Sequence, residues 1–120
     1  MNFEGWVADV RVRRDNALRN ADRHKERGFE GLLAAELANC RAMAYENVLE
    51  QVTVFQQKWQ KEPFTDEEKL EKFLGILRKA RAALVTYPIS NPSFAHEELR
   101  VVLESIEMMT WLIHAQRKPS

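Results

Sequence analysis

Residues 62–68 read Glu-Pro-Phe-Thr-Asp-Glu-Glu, and this stretch separates a long helical first half of the chain from a helical second half. Pro63 has no backbone N–H and cannot continue a helix, so it ends the helix before it. Thr65 and Glu68 have the spacing of a capping box, in which each side chain accepts a hydrogen bond from the backbone N–H of the other residue. The stretch therefore predicts that a new helix begins at about residue 66.

On both sides of this stretch, apolar residues recur at helical spacing and predict four helices. Upstream, Gly28 and Gly31 bracket a tight connection, and Gly28 suits the left-handed cap that often ends a helix. Downstream, residues 87–92 predict a stiff loop, with Asn91 as the N-cap and Pro92 at the first position of the last helix. We expect helices over about residues 3–27, 30–61, 66–86 and 92–116.

The expected fold is all-α: a four-helix antiparallel bundle made of two helical hairpins, in a single domain over residues 1–120. Short connections favour antiparallel neighbours, so helix 1 should pair with helix 2 and helix 3 with helix 4. In the first hairpin, a residue of helix 1 and the residue of helix 2 that faces it should have numbers that sum to about 59. This register places Ala17 near Ala42. Arg14 falls within the apolar side of helix 1, where it either extends along the core to water or meets Glu50 on helix 2.

The composition is that of an ordinary globular protein, with 45% hydrophobic and 30% charged residues. Acidic and basic residues number 18 each, so the chain has no overall field that attracts nucleic acid or anionic lipid. No apolar run has the length of a membrane span, and the N-terminus does not resemble a secretory signal. The single cysteine, Cys40, lies on the predicted core face of helix 2 with Leu33 and Leu37, so we expect a small buried side chain and a cytoplasmic protein.

Helix 4 carries more apolar surface than one side of a bundle helix normally buries, because ten of the fifteen residues from Leu99 to Ile113 are apolar. One stripe suits the bundle core: Leu99, Val102, Leu103, Ile106, Met109 and Ile113. A second stripe lies on the opposite side and has Trp111 beside it: Phe94, Val101, Met108 and Leu112. A helix that is apolar all round is normally buried all round, whereas a helix of a lone four-helix bundle shows one side to water.

The second stripe of helix 4 therefore indicates an interface with another protein. A second copy of the chain is the default partner, because two-fold homodimers are the commonest oligomers, although a different protein fits the pattern equally well. The alternative is that the end of helix 2 or the N-terminal segment covers this stripe within the chain. We expect the partner-binding residues to be Phe94, Val101, Met108, Trp111 and Leu112.

Helix 1 contains a basic segment, with seven Arg or Lys residues against three acidic residues in positions 11–27. Arg19, Arg23 and Arg27 repeat every fourth residue and form one column opposite the apolar side. Guanidinium groups in such a column suit phosphates or the carboxylates of a partner. The structural alternative is that the helix macrodipole favours basic residues near a helix C-terminus, and helices 3 and 4 show the same polarity.

No pattern indicates an active site: the sequence has no Gly-rich phosphate loop, no nucleophile elbow and no histidine spacing typical of a bundle metal site. We therefore expect no cofactor, no metal and no enzymatic activity. The leading hypothesis is a non-catalytic protein–protein interaction module, of the adaptor or inhibitor type, that self-associates through helix 4. The alternative is a nucleic-acid-binding protein that uses the basic column, and membrane contact led by Phe3 and Trp6 ranks last.

Overall fold

The structure is a computed structural model that describes residues 1–86 and 92–117. Within the second range, side chains are described from residue 94 onward. The predicted Asn91 cap and residues 87–91 of the predicted loop lie outside the described residues. A short 3-10 turn, Gly28–Gly31, joins the first two helices. The α-helices are α1 (Phe3–Lys25), α2 (Leu32–Lys61), α3 (Asp66–Thr86) and α4 (Pro92–Arg117).

The predicted capping box is present at the start of α3. The Thr65 N–H donates to Glu68 Oε1 at 3.1 Å, and the Glu68 N–H donates to Thr65 Oγ1 at 3.2 Å. At the start of α1, the Asn2 side chain accepts from the Gly5 N–H at 2.8 Å and serves as a further N-cap. Local side-chain hydrogen bonds thus fix the first turns of α1 and α3.

The connection between α1 and α2 depends on its two glycines. Gly28 has a φ of 70°, in the left-handed region that favours glycine. At Gly31, a Cβ atom would overlap the backbone carbonyl oxygen of His24, so the close approach of the turn to α1 requires the absence of a side chain. The 3-10 turn makes α1 end at Lys25 and α2 begin at Leu32, about two residues inside the predicted bounds.

The helices are antiparallel within each hairpin, as predicted. In the first hairpin, Arg14 Nη1 donates to Glu46 at 2.6 Å, so the predicted partner Glu50 is wrong by one helical turn. In the second hairpin, Arg117 Nε donates to Glu67 at 2.7 Å, which places the end of α4 beside the start of α3.

The two hairpins join with α2 beside α4 and with the start of α1 beside the start of α3. Arg41 Nε donates to Glu97 at 3.0 Å, and the Phe3 N–H donates to Asp66 Oδ1 at 2.9 Å. Asp66 also accepts a hydrogen bond from Gln116 near the end of α4. The ends of α2 and α4 therefore lie at the same end of the molecule, so these two neighbours, which belong to different hairpins, run parallel.

Aromatic side chains cluster in the core at the end of the molecule where α1 and α3 begin. The ring centroids of Phe3 and Phe73 lie 5.6 Å apart in an edge-to-face arrangement, and those of Phe3 and Trp59 lie 5.3 Å apart. Trp6 and Phe55 also pack on Phe73. Aromatic pairs of this geometry contribute about 0.5–1.5 kcal/mol each beyond the area they bury.

Toward the α1–α2 turn, the core changes from large to small side chains. The main apolar cluster reaches only Val10 on α1 and Ala44 on α2. Beyond it, within residues 17–40, the buried residues are Ala17, Ala21, Gly31, Ala35 and Cys40. We call residues 17–40 the hairpin tip and the remaining described residues the bundle body.

Candidate interaction surfaces

The structure divides the predicted partner-binding residues of α4 into buried and accessible members. Val101 and Leu112 are buried against the chain's own core, so the prediction that they face a partner is wrong. Phe94 and Met108 are half-buried. Trp111 is 62% exposed, the largest exposed fraction among these five side chains.

The correction follows from how α4 packs. Because α4 lies against both α2 and α3, its buried side is a broad arc that includes Val101, Leu112 and Met109. The accessible apolar residues of α4 instead include members of the stripe that we assigned to the core. In that stripe, Leu103 is 44% exposed and Ile106 is half-buried. Helix 4 therefore carries apolar surface beyond its buried arc, but part of that surface lies at a different angle from the prediction.

The accessible apolar residues of α4 belong to a continuous surface that we call the α4 outer face. It includes a groove of about 410 Å³ lined by Glu104, Glu107, Met108 and Trp111. A neighbouring depression is lined by His96, Leu99, Arg100, Leu103, Glu104 and Glu107. The two share Glu104 and Glu107, so an exposed indole and an exposed leucine lie on one surface about two helical turns apart.

A hydrogen-bond network fixes one edge of the α4 outer face. Glu104 accepts from Tyr45 Oη at 3.1 Å and from Arg13 Nη1, while Arg13 Nε donates to Asp9 at 2.9 Å. Burial raises the pKa of Tyr45, and the negative charge of Glu104 raises it further, so the phenol stays protonated and remains a donor. This network joins α1, α2 and α4, and sequence patterns within single helices did not reveal it.

Two charged residues of the α4 outer face, Arg100 and Glu107, are exposed and have no side-chain partner within the described part of the chain. They lie seven residues apart, which places them on nearly the same side of the helix. The face therefore offers one basic and one acidic group to a partner, on either side of Leu103.

The structure places Arg19, Arg23 and Arg27 on the exposed side of the hairpin tip. The Arg19 guanidinium donates to the Asn16 side chain. None of the three is paired with a carboxylate in residues 1–86 and 92–117. The arginine column is thus open to solvent along its length, which leaves its guanidinium groups accessible to anions.

The end of the hairpin tip also exposes apolar side chains that were not predicted to lie at the surface. Phe29 in the 3-10 turn is 88% exposed, and Leu32 and Leu33 next to it are exposed as well. Leu33 was assigned to the core face of helix 2, and that assignment is wrong. In the tip, α1 and α2 contact each other through a narrow row of alanines, and Leu33 lies outside it. The signal available in the sequence was Phe29 itself, an aromatic residue between two turn glycines.

The sequence hypothesis of membrane contact led by Phe3 and Trp6 is wrong, because both side chains are buried in the core. None of the described helices combines the length and the apolar content needed to cross a bilayer. In the same residues, no group of three or more His, Cys, Asp and Glu side chains is placed to hold a metal ion. Comparison with known proteins found no matching family model, no similar curated protein and no similar solved structure.

Proposed function

We propose that this chain is a non-catalytic protein-interaction module, of the adaptor or inhibitor type, that self-associates through the α4 outer face. The observation that carries the proposal is the 62% exposure of Trp111 beside the half-buried Met108. Tryptophan is among the residues that contribute most at protein interfaces, especially when an apolar side chain lies next to it. Covering the exposed part of one indole would contribute about 4 kcal/mol before the entropy cost of association.

The charges on α4 support a second copy as the partner. In a two-fold dimer the same surface meets itself, so any charged group must find its complement on that surface. If two α4 helices pack antiparallel about an axis beside Leu103 and Glu104, Arg100 of each copy lies opposite Glu107 of the other. Both groups lack a partner within the described residues of a single chain, and this arrangement would give each of them one.

The same arrangement accounts for the apolar residues of the face. Leu103 lies beside the proposed axis and would meet its equivalent in the other copy. Trp111 lies farther along the helix and would pack near His96 of the second copy, because these two residues are equally distant from the axis. The two exposed apolar side chains of α4 would then be covered by one contact.

A charge-reversal experiment tests the proposed dimer and its register. We expect wild-type protein to have dimer mass by light scattering coupled to gel filtration. Arg100→Glu and Glu107→Arg should each weaken the dimer at least tenfold, because each places like charges opposite one another at the interface. The double variant R100E/E107R should restore the dimer, since it exchanges the two charges and leaves their pairing intact.

The controls separate loss of the dimer from loss of the fold. Arg81→Glu reverses an exposed charge on α3 and should leave the mass unchanged. Trp111→Asp should give a folded monomer with the helical circular dichroism of the wild type. A wild-type chain that remains monomeric at high concentration, or a double variant that fails to recover the dimer, contradicts the proposal.

A second candidate function is nucleic-acid binding by the column Arg19, Arg23 and Arg27. The observation that favours it is that none of these guanidinium groups is paired with a carboxylate in the described residues. Binding through three phosphates should weaken with salt, with a log–log slope of about −3 for duplex DNA. A gel shift at low salt that shows no complex, or an equal shift by the variant with all three arginines replaced by Gln, rules this function out.

A further inference from the structure

A second groove lies on a different side of the molecule, between the end of α2 and the first half of α3. Its volume is about 480 Å³, within the range of small-molecule sites. Its apolar floor consists of Phe55, which is buried, and of Phe64 and Ile76, which are half-buried. Phe55 and Phe64 are stacked, with ring centroids 5.9 Å apart. The groove therefore offers a flat aromatic surface that is partly open to solvent.

The rim of this groove is basic. Lys58, Lys61 and Lys72 line it together with one acidic residue, Glu62. None of the three lysines forms a hydrogen bond or ion pair through its side chain in the described residues, although the Lys72 ammonium lies 5.0 Å from the centre of the Phe64 ring. Lys69, by contrast, is bound to Glu4 at 2.8 Å. We call this site the lysine groove.

Helix electrostatics explains only part of the lysine rim. Lys58 and Lys61 lie in the last turn of α2, where the macrodipole favours a positive charge. Lys72 lies in the second turn of α3, far from the C-terminal turn in which the macrodipole favours a positive charge. The neighbouring carboxylate, Glu68, is held by the capping box with Thr65. Three basic groups around an apolar floor therefore remain available to an anion.

We propose that the lysine groove binds a small amphipathic anion, in which an apolar ring or chain carries a carboxylate, sulfonate or phosphate. The apolar part would pack on Phe64 and Ile76, and the anionic group would be bound by the lysines through charge-assisted hydrogen bonds. A neutral ligand of the same shape would leave the lysines unused, and a purely polar anion would leave the aromatic floor uncovered. This site lies apart from the α4 outer face and does not depend on self-association.

The test uses 1-anilinonaphthalene-8-sulfonate as a fluorescent probe, titrated into the full chain. We expect saturable binding that decanoate displaces and that decanol, its neutral counterpart, displaces far less. Lys72→Gln and Lys61→Gln should each weaken probe binding about tenfold, the effect of losing one charge-assisted hydrogen bond. Both lysines are exposed, so the variants should keep the melting temperature of the wild type.

Two control variants test whether the probe binds in the lysine groove. Lys79→Gln removes an exposed lysine of α3 that does not line the groove and should leave the affinity unchanged. Trp111→Asp alters the α4 outer face and should also leave the affinity unchanged, which separates this site from the proposed dimer surface. Equal displacement by decanoate and decanol, unchanged affinity in K61Q and K72Q, or loss of binding in W111D would each overturn the assignment.

Discussion

The bundle body and the hairpin tip are built from the same kind of helix, but they bury different side chains. In the body, large aromatic residues such as Phe3 and Phe73 have no exposed surface. In the tip, the helices meet through alanines, and the large apolar residues Phe29, Leu32 and Leu33 face solvent. Burying a large apolar side chain contributes about 1.5–3 kcal/mol, whereas an alanine contributes much less. The body therefore supplies most of the stability of the fold.

The two regions also differ in how they use arginine. In the body, four of the eight arginines form ion pairs with carboxylates: Arg13, Arg14, Arg41 and Arg117. In the tip, none of the three arginines (Arg19, Arg23 and Arg27) forms an ion pair within the described residues. Side chains that take no part in folding can be kept for contacts with other molecules. Packing and ion pairing thus specify the body, while the tip is a narrow support for exposed side chains.

Replacing one phenylalanine in each region gives the largest expected contrast. Phe73→Ala should lower the free energy of unfolding by about 3–5 kcal/mol, because the cavity it leaves would lie among Phe3, Trp6 and Phe55. Phe29→Ala should change it by less than about 0.5 kcal/mol, because that ring is almost fully exposed. Urea denaturation measures both. Equal losses would contradict the distinction between body and tip.

A pair of glycine substitutions gives the next largest contrast. Gly31→Ala should lower the free energy of unfolding by about 1–3 kcal/mol, because the new methyl group meets the His24 carbonyl and the turn must shift. Gly75→Ala, in the middle of α3, meets no atom and should raise it by about 0.5–1 kcal/mol through higher helix propensity. Thermal denaturation distinguishes the two signs. A stabilising Gly31→Ala would mean that the tip does not hold this close turn.

Local features of the fold could be predicted from the sequence because their signals lie within a few residues. The capping box at Thr65 and the left-handed Gly28 are present as predicted, and the helix bounds agree within about two residues. The arrangement of the hairpins could not be predicted in the same way. That α2 and α4 are parallel neighbours depends on contacts between residues far apart in the chain, such as Arg41 and Glu97.

The candidate site shows the same limit. The excess of apolar residues on helix 4 identified Trp111 and Met108, which are accessible, but it also selected Val101 and Leu112, which are buried. Helical spacing gives the angles of side chains around the helix relative to one another. It does not determine how the helix is rotated about its own axis, and therefore which of these side chains face the neighbouring helices. The lysine groove was missed for a related reason, since its floor and rim come from two helices and their connection.

The smallest expected contrast concerns the helix starts of the two regions. In the body, α3 has its capping box, whereas α2 begins in the tip at Gly31 without a side-chain cap. Thr65→Ala should lower the free energy of unfolding by about 1 kcal/mol, the usual effect of removing an N-cap.

The pKa of Glu68 is lowered from its usual value. The largest cause is the hydrogen bond from the Thr65 backbone N–H, and the second is a hydrogen bond with the Thr65 side chain. A carboxylate whose pKa is lower in the folded state stabilises the protein above its unfolded pKa, and this contribution disappears as the pH falls through the folded value. Glu68→Gln should therefore cost stability at neutral pH and make no difference in acid below that value. Denaturation of the two proteins at a series of pH values would show their curves converging at low pH. A constant difference between them would mean that the capping box acts without the charge of Glu68.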